Sequence, residues 1–510
     1  MMGYAGKKSK IPKLWEKFQT KRNPFLDRAK KYAMLTLPYL MADKDNNISA
    51  QNGWQGVGAQ ATNHLANKLA QVLFPPQRSF FRVDLTEQGE QQLAAAGVKL
   101  TAMAQLFASI EKRAMAYGES LLFRPAVVEA FKHLIVAGNV MLYKPNKGSI
   151  QSVPLHHYVV RRDTNGDILD IIFLQEKALN TFEPAIRMAI EAAQGAKKSK
   201  ENDDIKLYTH AEYQKDGMFI VRQSAGEVPV GKEYRVKPEK LPFLVLTWKR
   251  SYGEDYGRPL AEDHSGDLFV IQFLSEAIAR GAALMSDIKY LVRPGAQTDV
   301  DHFVNSGTGE VIVGVEEDIH IVQLGKYADL TPIQAVLQEY VRRIGVVFMM
   351  EAMIRRDAER VTAYEIQRDA LEVEQNLGGA YSLFSANMQR PLSLWFLQGI
   401  QSRLTSENIE PVIVTGIEAL GRMAELDKFA NFAQYMTMPA TWPDGAQAAL
   451  KWPDYIDWVR GQLSAELPFF KSEGELQADA EAAQAAASEQ TMDEGVAKAI
   501  PNVVNNAMEE

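Results

Sequence analysis

The sequence predicts an α+β fold, mainly α, on three observations. Apolar residues recur at helical spacing over most of the chain, two hairpin signals interrupt them between about residues 150 and 248, and one apolar band near residue 270 is too wide for a single helix face. A length of 510 residues suggests three or four folding units at roughly 100 to 200 residues each.

Trp15, Phe18, Phe25, Ala29, Tyr32 and Ala33 predict helical turns broken at Pro24 and ended by Pro38. A polar loop, DKDNNISAQNGW, follows. A helix over 54–74 then places Val57, Ala61, Leu65, Leu69, Val72 and Leu73 on one face and stops at Pro75 and Pro76. Further helices are expected over 102–117 and 120–137. Beyond Gly138 the period falls to two: VPLHHYVVRRD and DILDIIFLQ flank Asn165-Gly166, and IKLYTHAEYQ and MFIVRQ flank Asp216-Gly217, dipeptides that favour tight hairpin turns.

Between 268 and 291, Phe269, Val270, Ile271, Phe273, Leu274, Ile278, Leu284, Met285, Ile288 and Tyr290 predict a helix buried on more than one side. Loops and short strands are expected next, and Pro332 opens a second helix through Ile333, Val336, Leu337, Val341, Ile344 and Val347. Helix, insertion and returning helix make a stalk with a knob. Thr362 and Glu365 form a capping box at the head of a long helix. Its stripe, Ile366, Ala370, Val373, Leu377, Tyr381, Phe384, Met388, Leu392 and Trp395, runs through Gly378 and Gly379, a pair that reads as a hinge or as a close helix crossing. Another amphipathic helix is expected over 417–436, followed by the near repeat TWPDGAQAAL and KWPDYIDWVR. From Glu473 the chain is rich in Ala, Glu and Gln and reads as a weak helix or a disordered tail.

A 46% hydrophobic and 24% charged composition fits a folded globular chain rather than a disordered or fibrous one. The apolar runs, such as 345–350, stop well short of the roughly 18 residues a bilayer demands, and MMGYAGKKSK has no apolar stretch behind it, so neither a membrane span nor a secretory signal is expected. The absence of cysteine excludes disulfides, thiolate metal sites and thiol nucleophiles. Residues 1–31 carry ten Lys/Arg against Glu16 and Asp27, while 471–510 carry nine Asp/Glu against Lys471 and Lys498. The basic arm reads as a solvated end or as a contact for an acidic partner. A formal charge of −8 argues against a tight, sequence-reading DNA binder, whose affinity comes largely from phosphate contacts.

No catalytic, cofactor or metal constellation emerges. GEVPVGKE at 226–233 has phosphate-loop spacing, but Glu233 stands where Ser or Thr must hold magnesium, and its neighbours read as strands. The DKDNNISAQNGW loop has Ile48 where a calcium loop turns on glycine and Trp54 where a bidentate Glu should close it. His156 and His157 would point to opposite faces of a strand, and the cluster Glu316, Glu317 and Asp318 reads as solvated. Neither Pro443-Asp444 nor Pro453-Asp454 is followed by the acidic and lysine residues of a metal-dependent nuclease core.

Five blocks, in order, resemble the portal proteins (head-to-tail connectors) of short-tailed, podovirus-type bacteriophages. They are WQGVGAQATNHLANKLAQVLFP (54–75), FKHLIVAGNVMLY (131–143), SYGEDYGRP (251–259), ERVTAYEIQRDALEVEQNLGGAYSLFSANMQRPL (359–392) and EPVIVTGIEALGR (410–422), and the similarity runs over roughly 15–435. The resemblance implies a portal fold of wing, helical stem, clip and crown, assembled as a dodecameric ring with a central channel at one capsid vertex. Such a ring passes double-stranded DNA without sequence specificity during packaging by the terminase and during ejection, and serves as the platform for the tail. Its partners would be the terminase large subunit, capsid and scaffolding proteins, tail adaptor and internal core proteins, with no membrane. It would act in the virion after assembly in the host cytoplasm, and the ATPase would belong to the terminase.

On this chain the resemblance implies an N-terminal wing part over 1–259, with the basic arm and a sheet-rich section near 150–248. It further implies a first stem helix over 260–292, a clip over 293–330, a second stem helix over 331–348 and a tunnel loop over 349–361. A long wing helix and its return would occupy 362–415, a crown 416–470, and a flexible acidic tail 471–510. By position, Lys289, Arg342, Arg343, Arg355, Arg356, Glu359 and Arg360 are candidates for the channel wall, each also readable as an inter-subunit salt bridge. Gly378 and Gly379 are the hinge candidates. The rival readings are a nucleic-acid enzyme using the basic arm, disfavoured by the missing site chemistry, and another phage structural adaptor, which would not be expected to contain stalk, insertion and returning stalk in that order.

Overall fold

Helix α1 (Ile11–Leu35) converts the three-to-four-residue spacing of Ile11, Trp15, Phe18, Arg22, Leu26, Ala29 and Ala33 into one buried face. Pro24 does not break it, contrary to expectation: the packed face outweighs the loss of one amide bond. Nor is the basic arm a solvated end from Ile11 onward. Trp15 and Phe18 pack on Val159, Ile172 and Tyr208, and buried Arg22 donates to the carbonyls of Leu155, His156 and Tyr158. The computed structural model describes residues 9–42, 53–76, 79–85, 100–194, 204–286, 289–322, 327–350, 371, 373–400, 411–415, 434–441 and 451–463. The calcium-loop-like segment therefore lies almost wholly outside the described residues, as do the Thr362–Glu365 capping box, most of 416–436 and the acidic tail.

The chain divides into two units, Met1–Leu420 and Gly421–Glu510. In the first, α2 (Val57–Leu73) buries Ala61, Leu65, Leu69, Val72 and Leu73 as its spacing predicts. Strand β1 (Phe81–Leu85), α3 (Leu100–Ser120) and α4 (Phe123–Ala137) follow. Two antiparallel sheets come next. Strands β2 (Asn139–Tyr143), β3 (Gln151–Val153) and a later β9 form one, in the order β3-β2-β9. Pro154, with no amide to donate, ends β3. His156 and His157 then sit in a 3₁₀ turn with ring centroids 4.2 Å apart, not on opposite faces of a strand as expected.

The other sheet is a five-stranded meander of β4 (Tyr158–Arg162), β5 (Ile168–Ala178), β6 (Asp204–Tyr213), β7 (Phe219–Ala225) and β8 (Val228–Val236), with α5 (Pro184–Gln194) between β5 and β6. Both sequence-read hairpins are in it. Asn165-Gly166 joins β4 to β5, where Gly166 takes φ 99° and Asp163 Oδ1 accepts from the Gly166 and Asp167 amides. Asp216-Gly217 joins β6 to β7 with Gly217 at φ 79°. GEVPVGKE forms the β7–β8 turn and strand, the geometry of a hairpin rather than a phosphate loop. Strand β9 (Phe243–Thr247) closes the smaller sheet. One core joins the two sheets to α1 and α4 through Leu26, Val136, Met141, Tyr158, Ile171, Phe243 and Tyr256.

Beyond the sheets come α6 (Leu260–Asp263), α7 (Ser265–Ser286), β10 (Lys289–Val292), α8 (Val300–Asn305), β11 (Ile319–Val322) and α9 (Tyr327–Val347). The helix expected over 260–292 is thus a short turn and a helix ending at Ser286, its tail being a strand. The second helix starts before Pro332, which lies in its second turn and so removes one intrahelical amide bond without ending the helix. The stripe expected to run unbroken to Trp395 is divided into pieces: a helical segment to residue 376, then α10 (Ala380–Phe384), a π turn Ser385–Gln389, and α11 (Arg390–Gly399). Val373, Tyr381, Phe384, Met388, Leu392 and Trp395 are nevertheless all buried, so the stripe marks the inward side of every piece. Strand β12 (Pro411–Thr415) returns to β1 with Phe81 opposite Thr415. In the second unit, α12 (Trp452–Leu463) buries Val459 among Met436, Tyr455 and Ile456.

Candidate functional site

Helices α7 and α9 pack against each other, with the strand pair β10–β11 between them in sequence. On α7, Leu268 and Ile271 are buried, whereas Phe269 and Phe273, one turn apart, are 61% and 60% exposed. One side of the wide apolar band is therefore open in the single chain. On α9, Ile344 is buried and Val336 and Val346 are exposed.

The three arginines on these helices are each paired with a glutamate of the same helix. Arg280 donates to Glu276 at 2.8 Å, and its guanidinium lies over the Trp54 ring at 5.6 Å. Arg342 grips both oxygens of Glu339, each at 3.1 Å, and Arg343 reaches one of them at 3.4 Å. The hydrogen bond from Arg342 holds the Glu339 carboxyl below the usual carboxylate range. Two candidate channel residues are thus brought together on one carboxylate. Lys289 begins β10, opposite Val322. Arg355, Arg356, Glu359 and Arg360 lie outside the described residues. Glu339, Glu276 and Arg280 were not singled out from sequence, although the three- and four-residue spacing of opposite charges was a signal for them.

The insertion is organised around Asp318, which is buried rather than solvated as expected. Its Oδ2 accepts from the Gln297 amide at 2.9 Å, the Thr298 amide at 3.2 Å and Thr298 Oγ1 at 3.0 Å. Burial pushes the carboxyl up, but these bonds outweigh it and hold it below its ordinary value. Glu316 and Glu317 remain exposed, so the acidic run holds one structural carboxylate beside two solvated ones.

Where the helix pair meets the sheets, two blocks quoted above interlock. Asn139 Nδ2 donates to the Gly257 carbonyl and Asn139 Oδ1 accepts from the Gly257 amide, both at 2.7 Å. Gly138, at φ 70°, lies where a Cβ would sit 2.6 Å from the backbone of Arg258 and Pro259. Arg258 is held by Glu254 at 2.6 Å and Glu262 at 3.1 Å, and Arg28 also reaches Glu262 at 3.4 Å, tying α1 to α6.

Gly378 and Gly379 take φ 60° and 86°. A Cβ at Gly378 would meet nothing within 4 Å, and one at Gly379 only Glu374 Oε1 at 4.0 Å, so the pair is required by backbone conformation and not by a close crossing. Glu374 seals the break, accepting from the Ser382 amide at 3.0 Å and Ser382 Oγ at 2.5 Å. The break borders a cleft of about 1600 Å³, whose walls include Arg162, Arg250, His264, Val346, Val347 and Trp395. Among the described residues there is no group of three or more His, Asp or Glu that could hold a metal, and no helix long and apolar enough to cross a membrane.

Residues 8–470 match the family described as bacteriophage head to tail connecting protein. The chain is 69% identical over 510 residues to the portal protein of Enterobacteria phage SP6, covering 100% of this chain and 99% of that one. It is 35% identical over 429 residues to the portal protein of Escherichia phage T7, covering 81% and 80%. Among solved structures, the neck of an empty gene transfer agent particle aligns over 81% of this chain and 91% of that one, at 11% identity and a TM-score of 0.37.

Proposed function

The chain belongs to the bacteriophage head to tail connecting proteins, as a podovirus portal protein, and on that footing we propose that twelve copies form a ring at one capsid vertex. The ring is the channel for genome packaging by the terminase and for ejection, and the platform for the tail. Helices α7 and α9 are its stem, the β10–β11 insertion its clip, and the sheets with α1 to α5 and α11 its wing. The observation that carries the reading is the open side of α7. Phe269 and Phe273 stand exposed on a helix whose other side is already packed, and a ring places a neighbouring subunit against each such face.

The channel wall is of mixed charge. Glu339 between Arg342 and Arg343 leaves one net positive charge per three ionic groups, and twelve copies at −8 total −96 for the ring. Low affinity for phosphate suits a wall along which DNA must slide. The protein acts as a structural part and takes its motor from the terminase. Native mass spectrometry with negative-stain imaging tests the proposal: a closed ring of about twelve subunits with a central hole supports it, and a folded two-fold dimer with nuclease or ATPase activity refutes it.

A further inference from the structure

Among the described residues only Leu122 and Met349 adopt positive φ without being glycine, and Met349, at φ 57°, lies just past the end of α9. A residue with a Cβ stays in that region only where its surroundings hold it, and glycine is the usual choice at such a helix end. Three contacts hold Met349. Its amide donates to the Val346 carbonyl at 3.1 Å, tightening the last turn. Its side chain and that of Phe348 are buried, with the Phe348 ring edge-on to His264 at the start of α7. Its carbonyl lies 2.9 Å from His64 Nε2 on α2, 285 positions away in sequence. Because a carbonyl only accepts, His64 must present its Nε2–H there, which fixes the ring's tautomer. The cleft described above reaches Val346, Val347 and His264, so the last turn of α9 is unpacked on one side and has room to move.

We infer that His64 is a positioning residue, a latch that holds the strained end of α9 to α2 and so fixes the direction in which the chain leaves that helix. Without its N–H, Met349 relaxes out of the left-handed region and the joint takes more than one arrangement. The inference needs neither a ring nor DNA and stands apart from the portal reading.

The chain contains no cysteine, so spin labels introduced as Asn67→Cys on α2 and Met350→Cys beyond α9 report this joint without background. The full chain is used, with labelled copies diluted into unlabelled ones. A narrow distance distribution is expected with His64 and with His64→Gln, which restores a donor, and about a twofold broader one with His64→Leu, which keeps volume but not the donor. A His64→Leu distribution as narrow as that of the parent, or a His64→Gln distribution as broad as that of His64→Leu, overturns the latch. If His64→Leu does not fold, His64→Ala takes its place under the same criteria.

Discussion

Burial lowers the His133 imidazole to about 3, with His156 and Lys132 adding to the effect, and its Nδ1 has no hydrogen-bond partner among the described residues. Its pKa is depressed on folding, so the unfolded chain binds the proton first. Stability from this residue is complete above 6.5 and is lost as pH falls from 6.5 towards 3, by up to about 5 kcal/mol. His133→Leu, of similar volume and without a titrating group, should flatten that limb of a melting-temperature profile. At Asn139 the expected effect is independent of pH. Asn139→Ala removes both partners of the buried Gly257 peptide groups and should cost about 3 kcal/mol, read as a lowered urea midpoint with unchanged slope. Both residues sit in a block noticed for its resemblance, yet only the structure explains Asn139. Its partner is 118 positions away, where no periodicity could point.

Among the elements, α7 and α9 were legible from their apolar spacing, and the β4–β5 and β6–β7 hairpins from Asn165-Gly166 and Asp216-Gly217, because helix faces and tight turns depend on neighbours within a few residues. The break at Gly378-Gly379 was legible as a feature but not in kind, since the stripe keeps its period across it while the backbone does not. The charge pattern of α9 was half legible: the arginines stood out in the sequence and Glu339 did not. Glu339→Gln should remove the carboxylate that both arginines share and so add one net positive charge at this point of α9. Non-specific DNA binding by the assembled protein should then strengthen at low salt and show a steeper salt dependence, measured by fluorescence anisotropy over a salt series. Unchanged affinity and slope would mean that these arginines do not face DNA.

At the scale of the whole molecule, the open side of α7 should separate folding from the proposed assembly. Phe269 and Phe273 are more than half exposed in the single chain, so Phe269→Gln with Phe273→Gln should leave the melting temperature of the subunit nearly unchanged while reducing the native mass from ring to monomer. A ring that forms normally with both substitutions would place the subunit interface elsewhere. The sequence alone determined the order of helices, hairpins, insertion and returning helix, since these are patterns of local spacing, and the family through the resemblance of five blocks in order. Tertiary structure alone decided that Asp318 is an internal anchor, that Asn139 locks Gly257, and that His64 meets a left-handed Met349. The physical reason is that most polar groups shielded from water are paired wherever the fold brings a partner, and for His64 and Met349 that partner lies 285 residues along the chain.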